Sequence, residues 1–132
     1  MRRRPDEKHT AEGIMALRVL VVEDDPDARE ALQVLLTNQG YDTAVAGDGR
    51  SALDTAAAFR PDVLLCDWRL PGTHDGVAVA RALQGDLDVP VIFFTAHSVS
   101  ELRTRTKDLR VLAYLPKPID VGRLAGALSV LE

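Results

Sequence analysis

The sequence has few of the features that mark secreted, membrane or nucleic-acid-binding proteins. Its single cysteine, Cys66, cannot form a disulfide within the chain, and disulfides are typical of oxidising compartments. No apolar run approaches the roughly 18–20 residues that span a bilayer. The 16 basic and 20 acidic side chains give a net charge of −4, which opposes attraction to phosphate backbones and anionic lipids. We therefore expect a cytoplasmic protein that contacts no membrane and binds no nucleic acid directly.

The length and composition favour one globular domain. The chain has 132 residues, of which 46% are hydrophobic and 27% charged, and domains usually contain 100–200 residues. Residues 1–16 differ from the rest: three arginines near the start are followed by a polar stretch without the apolar segment of a signal peptide. Residues 1–16 are therefore predicted to form a flexible tail, and residues 17–132 the domain.

Short apolar segments alternate with amphipathic segments from Leu17 onward. The short segments are predicted to be strands over residues 17–22, 41–46, 63–66, 91–95 and 111–115. The amphipathic segments are predicted to be helices, one from Pro26 to the stop at Gly40 and others over residues 50–59, 77–83, 99–107 and 121–131. The fourth helix has few apolar anchors and should be short or mobile. Five such units predict an α/β fold with a parallel sheet and helices on both faces.

Polar side chains follow four of the predicted strands. Glu23, Asp24 and Asp25 follow the first strand, Asp67 the third, Thr95 ends the fourth, and Lys117 comes just beyond the fifth. Because parallel strands end at the same edge of a sheet, these residues should meet where α/β proteins bind ligands. Carboxylates about 5 Å apart repel by roughly 3 kcal/mol per pair at an effective dielectric near 20. A hard divalent cation with oxygen ligands, such as Mg²⁺, would offset that repulsion.

Four segments carry a resemblance to a known family. They are Val-Val-Glu-Asp-Asp (21–25), Asp-Trp-Arg-Leu-Pro-Gly (67–72), Thr-Ala (95–96) and Tyr-Leu-Pro-Lys-Pro (114–118). Together they closely resemble the receiver domain of two-component response regulators, over about residues 17–131. The resemblance implies a flavodoxin-like, doubly wound sheet of five parallel strands in the order 2-1-3-4-5.

The resemblance also implies a role for each site residue. Asp67 would accept a phosphoryl group from the phosphohistidine of a histidine kinase or a histidine phosphotransfer protein. The implied Mg²⁺ ligands are Asp24, Asp25, Asp67 and the backbone carbonyl of Arg69, whereas Glu23 is expected to be peripheral. Thr95 and Lys117 would bind phosphoryl oxygens, Thr95 and Tyr114 would carry the conformational switch, and the Lys117–Pro118 bond would be cis.

Two other kinds of protein share part of this pattern. Haloacid-dehalogenase-like phosphatases also use a strand-end aspartate and Mg²⁺, but they place a second aspartate two residues later, where this chain has Arg69. A receiver excised from a hybrid histidine kinase, or one that only binds a partner, would look similar. Because the chain ends just after the fifth helix, we expect a single-domain regulator that is not an enzyme, is a monomer or weak phosphorylation-dependent dimer, and acts on a downstream protein.

Several remaining residues are assigned structural roles. Cys66 is expected to lie in the core, and Trp68 in a partly exposed loop beside the metal site. The segment Gly47-Asp48-Gly49 is interpreted as a turn, because the spacing of a dinucleotide-binding loop is absent. His9, His74 and His97 lack metal-ligand spacing with Cys66.

Overall fold

A computed structural model describes residues 16–132. The predicted tail lies outside the described residues, except for Ala16, which is buried. Within residues 16–132, five strands alternate with five helices. The strands are β1 (Arg18–Val22), β2 (Asp42–Ala46), β3 (Val63–Asp67), β4 (Val91–Thr95) and β5 (Val111–Pro116). The helices are α1 (Pro26–Asn38), α2 (Gly49–Phe59), α3 (Gly76–Leu87), α4 (Val99–Arg105) and α5 (Val121–Ser129).

The sheet is parallel throughout and has the strand order β2-β1-β3-β4-β5. This confirms the predicted α/β, flavodoxin-like architecture. The inner strands β1, β3 and β4 are buried almost without interruption, as expected for strands covered on both faces. One core contains Leu36 of α1 and Leu128 of α5, and the other contains side chains of α2, α3 and α4. The helices therefore cover both faces.

Most element boundaries agree with the sequence pattern, and α3 differs most. It begins at Gly76 and continues to Leu87, four residues beyond its predicted end. The missed turn carries Gln84, Gly85 and Asp86, which are partly or fully exposed, before Leu87 packs against the core at its end. Helix α4 has only seven residues, which confirms that it is short.

Every helix of the described chain begins at a polar capping residue. Asp25, Asp48, Asp75, Ser98 and Asp120 each accept a hydrogen bond from a backbone N–H in the first turn, which satisfies a donor that the helix itself leaves unpaired. These caps lie at the edge of the sheet where the strands end, so they fix the loops that carry the polar residues. None of the helices in residues 16–132 is long and apolar enough to span a membrane.

Candidate functional site

Lys117 lies at the centre of the polar edge. Its Nζ donates to Asp67 Oδ2 at 2.7 Å and to Glu23 Oε1 at 2.8 Å. Its backbone N–H donates to the carbonyl of Thr95 at 2.9 Å, and the Lys117–Pro118 bond is cis, as expected. The two carboxylates are buried, whereas the lysine side chain is 30% exposed. One ammonium thus joins the ends of β1, β3 and β5.

Three carboxylates form a cluster beside this ammonium. Oxygens of Glu23, Asp24 and Asp67 all lie within 4.8 Å of one another. Partial burial, together with a hydrogen bond and repulsion from Glu23, raises the pKa of Asp24. Partial burial works to lower the pKa of Lys117, but its hydrogen bonds to Asp67 and Glu23 prevail and raise it. The cluster is acidic and offers only oxygen ligands.

The expected position of Glu23 was wrong. Its side chain is 1% exposed and pairs with Lys117, so it belongs to the centre of the site. Asp25, a predicted metal ligand, is not part of the cluster: it is exposed, and its Oδ1 accepts from the N–H of Asp27 at 3.0 Å as the cap of α1. Glu23, directly after the buried strand β1, points into the site, whereas Asp25, directly before Pro26, caps α1. An aspartate directly before a proline is itself the usual pattern of an N-cap followed by the first helical residue.

Asp67 ends β3 in a closely packed corner. Its Oδ1 accepts from the N–H of Arg69 at 3.3 Å. The N–H of Gly76 donates to the Trp68 carbonyl at 2.7 Å, and a Cβ on Gly76 would lie 2.1 Å from the carbonyl oxygen of Asp67. Only glycine allows α3 to start this close to the end of β3. The loop after Asp67 is therefore fixed by the Arg69 N–H and by the close approach of Gly76 at the start of α3.

Thr95 is placed beside Asp67 by strand register. Asp67 pairs with Phe94 across β3 and β4, so Thr95 lies one residue further along the neighbouring strand. Its side chain is buried, and its Oγ1 accepts from the N–H of His97 at 2.9 Å. The structure thus brings Thr95, Lys117 and Asp67 to one edge of the sheet, as the sequence predicts.

Tyr114 is held by three side chains. Its ring stacks on Phe93 with centroids 6.1 Å apart, and the guanidinium of Arg103 lies 4.4 Å from the ring centroid. Its hydroxyl is 2.6 Å from Oγ1 of Thr106, a residue that is 1% exposed. Because Thr106 Oγ1 donates to the Leu102 carbonyl at 2.9 Å, the Tyr114 hydroxyl must be the donor of the shared bond. Sequence reasoning missed Thr106, which carries no motif.

Trp68 is buried, not partly exposed as predicted. It is 1% exposed, with the guanidinium of Arg69 4.2 Å from its ring centroid and that of Arg105 5.9 Å away. The His97 ring meets it edge-on at 6.3 Å. Long cationic side chains can cover an aromatic ring while their charges stay in water, a contact that strand alternation does not predict. Trp68 also belongs to the core cluster that contains side chains of α3 and α4, which accounts for its burial.

Cys66 lies in the core, as predicted. Its side chain is fully buried, and burial, followed by the nearby charges of Asp67, Asp75 and Glu23, raises the pKa of its thiol well above the ordinary value. A thiol in this environment stays protonated and is a poor nucleophile.

Comparison with known families identifies the family to which this fold belongs. The family model of the response regulator receiver domain matches residues 19–129. The chain belongs to the response regulator receiver domain family. Receiver domains are signalling domains, not classical enzymes, so a haloacid-dehalogenase-like phosphatase is not supported.

Curated relatives of this receiver domain are longer proteins. The DNA-binding response regulator MtrA of Mycolicibacterium smegmatis is 46% identical over 119 residues, covering 86% of this chain and 51% of the relative. The response regulator MprA of Mycolicibacterium vanbaalenii is 42% identical over 120 residues, covering 89% of this chain and 51% of the relative. The chain spans about half the length of the curated relatives it matches.

Solved structures agree with the family. The chemotaxis response regulator CheY4 of Vibrio cholerae, crystallised at low pH, superposes with a TM-score of 0.80 at 26% identity, covering 89% of this chain and 99% of that one. The signal receiver domain of a modulated diguanylate cyclase from Desulfovibrio desulfuricans also gives 0.80, at 34% identity, covering 87% of this chain and 92% of that one.

Proposed function

We propose that this receiver domain accepts a phosphoryl group on Asp67 from the phosphohistidine of a histidine kinase or a histidine phosphotransfer protein. The observation that carries the proposal is the position of the Asp67 carboxylate. It ends a buried strand, with one oxygen held by Lys117 and the carboxylates of Glu23 and Asp24 beside it. Family membership supports a kinase as the partner and the cytoplasm as the compartment where they meet.

The residues of the site fit the chemistry of phosphoryl transfer. An oxygen of Asp67 would form a bond to phosphorus while the phosphorus–nitrogen bond breaks, and the electron pair of that bond would return to the imidazole of the donor. Lys117 keeps its proton because its pKa is raised, so its charge is available to a phosphoryl oxygen after the transfer. Such transfers depend mainly on positioning and charge neutralisation.

Mg²⁺ is the proposed cofactor, because all three clustered side chains offer carboxylate oxygens at close range. Glu23, Asp24 and Asp67 would hold the ion, with the backbone carbonyl of Arg69 as a further ligand. Mg²⁺ usually binds through a few carboxylates together with substrate phosphate oxygens and water. When bound, it would neutralise negative charge on the phosphoryl oxygens.

Incubation with acetyl phosphate and Mg²⁺ tests the phosphoacceptor. Intact mass spectrometry should show one added phosphoryl group on the wild type and none on Asp67→Asn. The matched control is Asp86→Asn, which removes an exposed carboxylate from α3 and should be labelled like the wild type. Equal labelling of Asp67→Asn and the wild type would reject Asp67 as the acceptor.

The proposed output is a change of the surface formed by α4 and β5. Thr95 would move toward the phosphoryl group, and Tyr114 would leave its contact with Thr106. The net charge of −4 argues against direct DNA binding by this domain, even though the MtrA relatives are DNA-binding regulators. We further propose that the domain is a monomer and forms at most a weak dimer when phosphorylated. Sedimentation with and without beryllofluoride, which mimics a phosphoryl group, would measure its oligomeric state.

A double-mutant cycle tests whether Thr106 and Tyr114 are energetically coupled. Tyr114→Phe removes one hydroxyl of the 2.6 Å hydrogen bond and should lower the free energy of unfolding by about 1 kcal/mol. Thr106→Val also loses the bond to the Leu102 carbonyl and should cost more. Because the bond is lost only once, the double variant should be less destabilised than the sum of the two changes. Urea denaturation measures all four proteins, and strictly additive effects would show that the bond contributes nothing.

A further inference from the structure

Arg29 contacts the backbone of the acidic site from α1. Its guanidinium Nη1 donates to the carbonyl of Glu23 at 2.9 Å. On the other side, the N–H of Glu23 donates to the carbonyl of Ala46 at the end of β2. Residue 23 is thus held at both its N–H and its carbonyl, just where β1 ends and the acidic loop begins.

Gly47 leaves the space that the guanidinium occupies. A Cβ at this position would lie 2.7 Å from Nη1 of Arg29 and 3.5 Å from its Cζ. The backbone of Gly47 is not in the left-handed region, so alanine could adopt its conformation. The glycine is therefore explained by the approach of Arg29, a role that the Gly-Asp-Gly turn did not reveal in the sequence.

We propose that Arg29 and Gly47 form a clamp that positions the carboxylates of Glu23 and Asp24 for a divalent cation. This inference rests on the proposed function, in which the site binds Mg²⁺. Beyond Glu23 the chain leaves the sheet, and Asp24 is exposed. Without the clamp, binding the ion would have to order this loop, and that ordering would oppose binding. Arg29 is therefore a positioning residue that does not itself touch the ion.

Two variants disturb the clamp in different ways. Arg29→Met removes the donor but keeps an unbranched apolar side chain. Gly47→Ala keeps the arginine and places a methyl group where its guanidinium lies; because the displaced atoms end a flexible side chain, the fold should survive. Gly85→Ala is the matched control, since a Cβ there would meet nothing within 4 Å.

Titration of the four proteins with MgCl₂, followed by amide chemical shifts, tests the proposal. Arg29→Met and Gly47→Ala should bind Mg²⁺ roughly threefold to tenfold more weakly than the wild type. This is the effect expected when a charged hydrogen bond is lost and part of its free energy contributes to binding of the ion. Gly85→Ala should match the wild type. A melting temperature lowered without any change in Mg²⁺ affinity would show a merely structural role and overturn the proposal.

Amide hydrogen exchange without metal separates this proposal from the metal site itself. The N–H of Asp25 donates to Glu23 Oε2 at 3.2 Å, so it should exchange faster in Arg29→Met and Gly47→Ala than in Gly85→Ala. If the wild type binds no Mg²⁺, the proposed metal site fails, and faster exchange would still support a clamp on the loop. Equal exchange in all four proteins would overturn the clamp in either case.

Discussion

Asp24→Asn is expected to remove the response of the protein to Mg²⁺ and to slow phosphorylation by acetyl phosphate at least about a hundredfold, because a metal ion contributes several kcal/mol to charge stabilisation. Asp25→Ser is expected to leave both properties nearly unchanged. Asp24 belongs to the carboxylate cluster, whereas Asp25 caps α1. Serine is also a good capping residue, so this variant removes the charge and keeps the cap.

The metal-free stability of Asp24→Asn gives an independent check. Because the pKa of Asp24 is raised in the fold, the protonated form favours folding, and that contribution is lost as the pH rises through the raised value. A neutral amide should therefore make the metal-free protein slightly more stable than the wild type at neutral pH. Thermal unfolding with EDTA and with Mg²⁺ measures both effects. A Mg²⁺ response that survives in Asp24→Asn and disappears in Asp25→Ser would restore Asp25 as the ligand.

Lys117→Met is expected to lower the free energy of unfolding by about 2–4 kcal/mol in the absence of metal. It leaves the buried carboxylates of Glu23 and Asp67 without their cation, and removing one partner from buried ion pairs is strongly destabilising. The 30% exposure of the lysine side chain places the effect below that of a fully buried pair. Mg²⁺ should restore more stability to Lys117→Met than to the wild type, because it supplies positive charge to the same carboxylates.

The pH dependence of the wild type follows from the same contact. The pKa of Lys117 is raised above its ordinary value of 10.5. Its stabilising contribution is therefore fully present below about pH 10.5 and is lost as the pH rises through the raised value. The destabilisation caused by Lys117→Met should shrink above that pH. Chemical denaturation across alkaline pH measures it, and a difference that stays constant would show that Lys117 acts only through packing.

The fold could be predicted from the sequence because two signals agreed. Buried parallel strands appear as short apolar runs, and the strand ends were marked by polar residues such as Asp67 and Thr95. The ends of the helices were predicted less well, because Gln84, Gly85 and Asp86 carry α3 past Leu83 without an apolar side chain before Leu87 packs against the core. Three residues without a large apolar side chain give no signal in the hydrophobic periodicity, although the helix runs through them.

The site was predicted at the level of its elements and missed at the level of single side chains. Three consecutive acids follow β1, and the sequence does not show which of them faces Lys117. The buried position of Glu23 depends on where β1 ends and on a lysine 94 residues away. Likewise, Trp68 is buried because it packs in the core cluster that contains Val77 and Leu102. These are tertiary contacts between distant segments, which local patterns do not encode.

Chemical mapping of the phosphoryl group tests the central claim most directly. Phosphoramidate, a small donor with a phosphorus–nitrogen bond, would be used with Mg²⁺ to phosphorylate the wild type. Borohydride would then reduce the resulting acyl phosphate, which converts a phosphorylated aspartate to homoserine. Peptide mass spectrometry should find homoserine at position 67 alone, and none without the donor. Homoserine at position 24 or 25, or a phosphoryl group on a residue that borohydride does not reduce, would contradict the assignment of Asp67.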